Sequence, residues 1–309
     1  MRTAFIRALV EQAAGDPRIF LLTGDLGWSV VEAFADKYRD RFLNAGVAEQ
    51  NMTGLATGLA QAGFVPFTYT IATFASMRPY EQIRNGPVLH RLPVRIVGVG
   101  GGFAYGHAGM THFALEDLAI GRAQPGLTVI APADPAQTAT VMDAIRTVPG
   151  PVYLRIGKGG NPAIPGLNGR FALNRPEVVV EGSDVLLLAT GAVALNAVEA
   201  AKRLRGDEVS AAVAVLAHLP HAPTPELTAL LSRFRAVVTI EEGYTAGGLG
   251  SLAAETIAQR GLGCRLLIRG VRGAPSVGAG TTAFLQAAER LDAAGIEDAA
   301  RTVLSAIRK

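Results

Sequence analysis

Short apolar runs recur along this chain, and helical patterns separate nearly every one from the next. In the first half the runs cover 19–22, 65–69, 94–99, 128–131 and 152–155, with helical patterns over 3–14, 79–85, 115–122 and 135–147. In the second half they cover 184–189, 209–215, 236–241 and 264–268, with helical patterns over 194–205, 225–234, 249–259, 282–291 and 296–307. Parallel strands need a crossover long enough to hold a helix, and both faces of such a sheet become covered. The alternation therefore predicts an α/β class with two doubly wound domains, each a mostly parallel sheet with helices on both faces. A chain of 309 residues holds two such units of about 150 residues each. Residues 161–182 are rich in Gly and Pro and lack periodicity, so they read as the connection between domains over 1–160 and 183–309.

Hydrophobic residues make up 49% of the chain and mean hydropathy is +0.28, which suits well-filled cores. The 29 basic and 26 acidic residues leave a net charge of only +3, without a basic stripe, which argues against nucleic-acid binding. The single cysteine, Cys264, excludes an intrachain disulfide and fits a reducing cytosol. No apolar run approaches the roughly 20 residues that span a bilayer. The first residues enter an amphipathic helix without a signal-peptide core, so a soluble, cytoplasmic protein is expected.

The stretch Asn44-Ala-Gly-Val-Ala-Glu-Gln-Asn51 stands where a short apolar run hands over to a helix. Met52, Leu55, Ala56 and Leu59 recur with helical spacing, and Gly63 can end that helix. Gly54 and Gly58 weaken it by roughly 1 kcal/mol each, which is expected where another backbone comes close. Glu49 at the helix start would complement the dipole. Among Val47, Ala48, Met52 and Phe74 it would also be buried, and apolar burial favours the protonated form of a carboxyl. Asp25, in the polar switch Thr23-Gly-Asp25, stands at a strand end, where open α/β sheets bind ligands.

Other patterns carry less. Gly98-Val-Gly-Gly-Gly-Phe103 lacks the third glycine of a dinucleotide fingerprint, and Gly157-Lys-Gly159 lacks the spacing of a phosphate loop. Gly24-Asp25 followed by Asn51 imitates a Gly-Asp-Gly…Asn metal motif, but Leu26 holds the third position. His218 and His221 have no metal-binding spacing and read as structural, as does Cys264.

As an ordered set, Gly24-Asp-Leu26, Gly46-Val-Ala-Glu-Gln-Asn51, Thr73-Phe74, Glu81-Gln-Ile-Arg-Asn85, Gly109-Met-Thr-His112, Leu115-Glu-Asp117, Tyr153-Leu-Arg155, Ala189-Thr-Gly191, Glu241-Glu-Gly243 and Gly247-Gly-Leu-Gly250 resemble the transketolase family. The resemblance spans nearly the whole chain. It implies the pyrimidine-binding domain of the thiamine-diphosphate fold followed by a transketolase C-terminal domain. Glu49 then matches the glutamate that hydrogen-bonds the cofactor's pyrimidine ring, and Phe74 the aromatic packed on it. Asp25, Met77 and Tyr80 match positions around the same cofactor. His112 resembles the active-site histidine at the donor sugar's hydroxyls. Arg2, Ser29 and Arg155 match positions that hold a substrate phosphate.

The family's magnesium-diphosphate domain has no counterpart here, and Arg2 already matches. The resemblance therefore implies a naturally separate C-terminal subunit, with an N-terminal polypeptide supplying the Mg2+ site and a dimer of heterodimers as the assembly. The implied reaction is transfer of a two-carbon ketol unit between a ketose and an aldose. Two family positions at the substrate differ, an aspartate matched by Ala108 and a histidine matched by Gly100, and His107 is the substrate-binding candidate that would compensate for one of them. Rival readings are a 2-oxo-acid dehydrogenase β-subunit, a deoxyxylulose-phosphate synthase-like half, and a non-catalytic α/β module.

Overall fold

The computed structural model describes residues 1–307. In the first domain α1 (Arg2–Gly15) leads to β1 (Ile19–Thr23), then α2 (Glu32–Ala35), β2 (Phe42–Asn44), α3 (Glu49–Gln61) and β3 (Val65–Ile71). There follow α4 (Ala72–Met77), α5 (Tyr80–Ile83), β4 (Arg95–Val99), α6 (Asp117–Arg122), β5 (Thr128–Ile130), α7 (Pro135–Ala144) and β6 (Val152–Ile156). The second domain comprises β7 (Glu177–Val180), β8 (Val185–Ala189), α8 (Ala194–Gly206), β9 (Ala211–Val215), α9 (Pro225–Leu231), β10 (Ala236–Tyr244), α10 (Leu249–Arg260), β11 (Arg265–Val271), α11 (Thr282–Ala288) and α12 (Ala293–Ile307). Helix starts follow local chemistry. Asp134 accepts from the Gln137 amide ahead of Pro135, and Thr224 accepts from Leu227 ahead of Pro225.

The first sheet has the order β2-β1-β3-β4-β6-β5, and every pairing is parallel. All its carboxyl ends therefore lie on one edge. The chain reverses its direction of growth between β1 and β3, which places a crevice there. The second sheet, β11-β10-β8-β9-β7, is parallel except for β7.

Strand β7 lies in the stretch expected only to connect the domains. Its anchors are polar and therefore invisible to hydrophobic periodicity. Buried Glu177 pairs with Arg170 and Arg175, and Arg170 also donates to the Val178 carbonyl. Helix α6 starts at Asp117 because Ala114 is held by backbone bonds to Gly102.

The domains are stitched along a continuous seam. Ala131 donates to the Ala217 carbonyl, Leu219 to Val129, and Tyr244 to Leu115. Arg122 crosses to the Pro220 and Gly247 carbonyls and pairs with Glu255. His221 Nδ1 meets the Arg122 carbonyl at 3.0 Å. No helix among the described residues is long and apolar enough to cross a membrane.

Helix α3 faces the core differently from its apolar pattern. Its buried positions are Glu49, Met52, Thr53, Ala56 and Ala60, while Leu55 is exposed. Gly54 and Gly58 are exposed too, with nothing within 4 Å of where a Cβ would stand, so no backbone among the described residues comes close.

Candidate active site

The side chains that carry chemistry collect at the carboxyl edge of the first sheet, around the crevice between β1 and β3. Glu49 opens α3 just beyond β2 and is only 2% exposed. Its Oε1 accepts from the Thr70 hydroxyl at 3.0 Å, on the neighbouring end of β3. Its Oε2 accepts from Arg78 Nη1 at 2.8 Å. The same guanidinium lies over Phe74, its Cζ 3.7 Å from the ring centroid.

Phe74 continues into an aromatic wall. His112 meets it at 5.2 Å between ring centroids, and Tyr105 lies 6.2 Å from His112. Lys158 Nζ sits 4.3 Å over the Tyr105 ring. Arg2 lies close enough to Tyr69 and Tyr105 to oppose the upward shift that burial imposes on both phenols. Arg2 and Lys158 also line a cleft of about 480 Å³ between the domains.

The Gly100 position explains Tyr105. Gly100 has φ +77, and a Cβ there would fall 2.2 Å from Tyr105 Cε2. The tyrosine ring thus fills the space that a side chain at position 100 would take. His107 and Ala108 are exposed on the turn that follows. His112 Nδ1 lies 2.9 Å from the Thr111 hydroxyl.

The other expected residues make contacts of their own. Arg155 is buried beneath the 100–103 loop, where a Cβ on Gly101 would overlap its Nε. Its Nη1 donates to Asp117 at 3.1 Å and its Nη2 to the Glu242 carbonyl at 2.8 Å. Its charge is paired within the first domain, and its bond to the Glu242 carbonyl ties that domain to the second. Burial pushes the Asp117 carboxyl up against the opposing pull of Arg155 and Tyr153, and it pushes Glu242 up as well. Tyr80 commits its hydroxyl to the Ile120 carbonyl at 3.1 Å. Met77 is 49% exposed, so it can border the slot only from its rim.

Asp25 is exposed at φ +58 and exchanges hydrogen bonds with Asn44, whose side chain also receives the Gly46 amide. It steadies the loop before Glu49. Ser29 is exposed at φ +65, its amide donating to Glu32. Among the described residues no group of His, Cys, Asp and Glu could hold a metal ion. Thr70, Arg78, Tyr105 and Lys158 escape a sequence reading because only the fold brings them to Glu49, Phe74 and Gly100.

The family model described as the transketolase pyrimidine binding domain matches residues 1–162, and that of the transketolase C-terminal domain matches 175–268. The chain belongs to the transketolase family. A transketolase C-terminal section from Methanocaldococcus jannaschii is 36% identical over 274 residues, covering 88% of this chain and 86% of that protein. A 6-deoxy-6-sulfo-D-fructose transketolase subunit from Clostridium sp. is 37% identical over 262 residues, covering 84% and 81%. The fold superposes on a split gene transketolase, described as an inactive β4 tetramer, with a TM-score of 0.86 and 35% identity. That match covers 98% of this chain and 97% of the other. These three proteins are of similar extent to this chain. The chain is a split-transketolase-type C-terminal subunit, a type that implies an N-terminal partner, and the family implies thiamine diphosphate.

Proposed function

We propose that this subunit forms half of a thiamine-diphosphate-dependent transketolase, moving a two-carbon ketol unit from a ketose to an aldose. The observation that carries this reading is the seat of Glu49, buried at a helix start beside Phe74 in the sheet crevice. The donor set suits an aminopyrimidine. Oε2 is already met at 2.8 Å by a planar N–H donor lying over Phe74, so a planar nitrogen group fits between carboxyl and ring. When bound, the cofactor would supply the carbanion chemistry that protein side chains lack.

The chain's own residues would orient and recognise. Thr70 fixes the Glu49 rotamer through Oε1, leaving Oε2 to hold a ring nitrogen. Phe74 gives the ring its face, with Met77 at the rim, Tyr80 bracing the segment against α6, and Asp25 steadying the Asn44–Gly46 turn. His112, beside Phe74, can donate to or accept from a sugar hydroxyl near neutral pH. Beyond Tyr105, Arg2 and Lys158 offer charge to a distal anion, with Ser29 and His107 assigned to the same substrate end. The sulfo-sugar named for the Clostridium relative carries such an anion. Mg2+ and the diphosphate would be held by the N-terminal subunit, in a cytoplasmic dimer of heterodimers.

Glu49→Gln tests the assignment. The amide cannot give a carboxyl proton to the ring, and a positioned proton-transfer group contributes about 10²–10⁴-fold. Turnover of the two-subunit complex should fall by that factor, while sedimentation shows assembly unchanged. Retention of more than about a tenth of the activity would remove Glu49 from its role.

A further inference from the structure

Arg78 makes, from within the chain, both contacts on which the proposed ring slot depends. One nitrogen holds Glu49 Oε2 at 2.8 Å, and the flat guanidinium covers Phe74 at 3.7 Å. Thr70 holds the other carboxylate oxygen, and His112 packs against Phe74 at 5.2 Å between ring centroids. Glu49 is sealed from solvent, whereas the Arg78 side chain is 42% exposed. Arg78 is thus the movable member of the pair. It lines the mouth of the slot together with Val47, which is 71% exposed, and Gln50 and Asn51.

We infer that Arg78 is the resident occupant of the ring slot, imitating the aminopyrimidine until the cofactor displaces it. This rests on the proposed binding of thiamine diphosphate at Glu49 and Phe74. A guanidinium shares the relevant properties of that ring: it is planar, carries N–H donors in its plane, and stacks on an aromatic face. Its presence keeps a buried carboxylate paired, which spares the chain an uncompensated buried charge before assembly. The contact lowers apparent cofactor affinity by the fraction of molecules in which the slot stands open. Displacement swings the side chain outward past Met77 and Val47, both already at the surface.

The test reads binding without turnover. Thiamine diphosphate with Mg2+ is titrated calorimetrically into the complex of this chain with its N-terminal subunit. Arg78→Ala should bind about tenfold more tightly than the wild type, since the competitor is gone. Arg78→Gln, which keeps a polar stem if the alanine variant assembles poorly, should also bind more tightly. Affinity equal to or weaker than the wild type in either variant overturns the proposal. Adding Glu49→Gln to the Arg78→Ala chain separates two kinds of failure. If that addition leaves affinity unchanged, the ring does not sit at Glu49, and the slot assignment falls together with the proposal. If it weakens binding while the loss of Arg78 brings no gain, the slot stands and the displacement idea alone is wrong.

Discussion

Burial sorts the basic side chains near the site into those that can meet a ligand and those that cannot. Arg155 and Lys158 lie three positions apart, yet one is locked beneath the 100–103 loop and the other stands exposed over Tyr105. A charge-assisted hydrogen bond is worth about 1.5–3 kcal/mol, with exposed positions at the low end. Lys158→Ala should therefore raise KM about tenfold for a phosphorylated acceptor and leave its dephosphorylated analogue unaffected. Arg155→Ala strands Asp117 without its partner and should cost about 3–5 kcal/mol of stability. It should act on both acceptors alike. Steady-state kinetics on the matched pair, with a melting curve for each variant, would show the division. A phosphate-specific effect of Arg155→Ala, without loss of stability, would return that arginine to the substrate.

Among the elements, the seam between the sheets carries a titratable group whose direction is clear. His218 follows β9, bridges to Ile130 on β5, and accepts from the Asn174 amide through Nδ1 at 3.1 Å. Burial pulls its pKa down to about 4. The folded protein thus holds it neutral, while an unfolded chain protonates it near pH 6.5. Its stabilising contribution is complete above about pH 6.5 and is lost as the pH falls toward 4, by up to about 3 kcal/mol. Subtracting the denaturation midpoints of His218→Gln from those of the wild type isolates this slope from other acids. A difference that stays flat across pH 4–6.5 would show that His218 is not held neutral.

The same seam shows what the sequence could convey. Continuous apolar strands announced themselves, and so did helices with Asp134–Pro135 and Thr224–Pro225 starts. Helix α3 was readable as a helix, but not its buried face, because exposed Leu55 is as apolar as buried Met52. Strand β7 depends on Arg170, Arg175 and Glu177, whose pairing exists only after folding. Glu49, Phe74 and His112 could be named from motifs. That Arg78 and Thr70 share the Glu49 carboxylate depends on the packing of α3 against β3 and the end of α4.

At the scale of the molecule, α3 begins at the slot and runs outward with Asn51, Gly54, Leu55 and Gly58 along its exposed side. Two bare glycines there weaken the helix, and no atom of the described residues lies within 4 Å of where their Cβ would stand. They fit an assembly in which another subunit lies against that face. A Cβ at Gly54 meets no atom of the described residues within 4 Å, and an exposed glutamine can extend into solvent. For Gly54→Gln the melting temperature of the isolated subunit should therefore hold or rise slightly. Association with the N-terminal subunit, followed by analytical ultracentrifugation, should weaken. Undiminished association would place the partner elsewhere.

Where the stripe of α3 meets the slot, catalysis and encounter become one event. In the proposed enzyme the acid that tunes the cofactor would sit on one polypeptide and the grip on its diphosphate on another. The rate at fixed cofactor should then fall faster than linearly as the two are diluted together. A cell that makes one subunit in excess would gain activity only until the other is fully bound, so the scarcer subunit would set the flux.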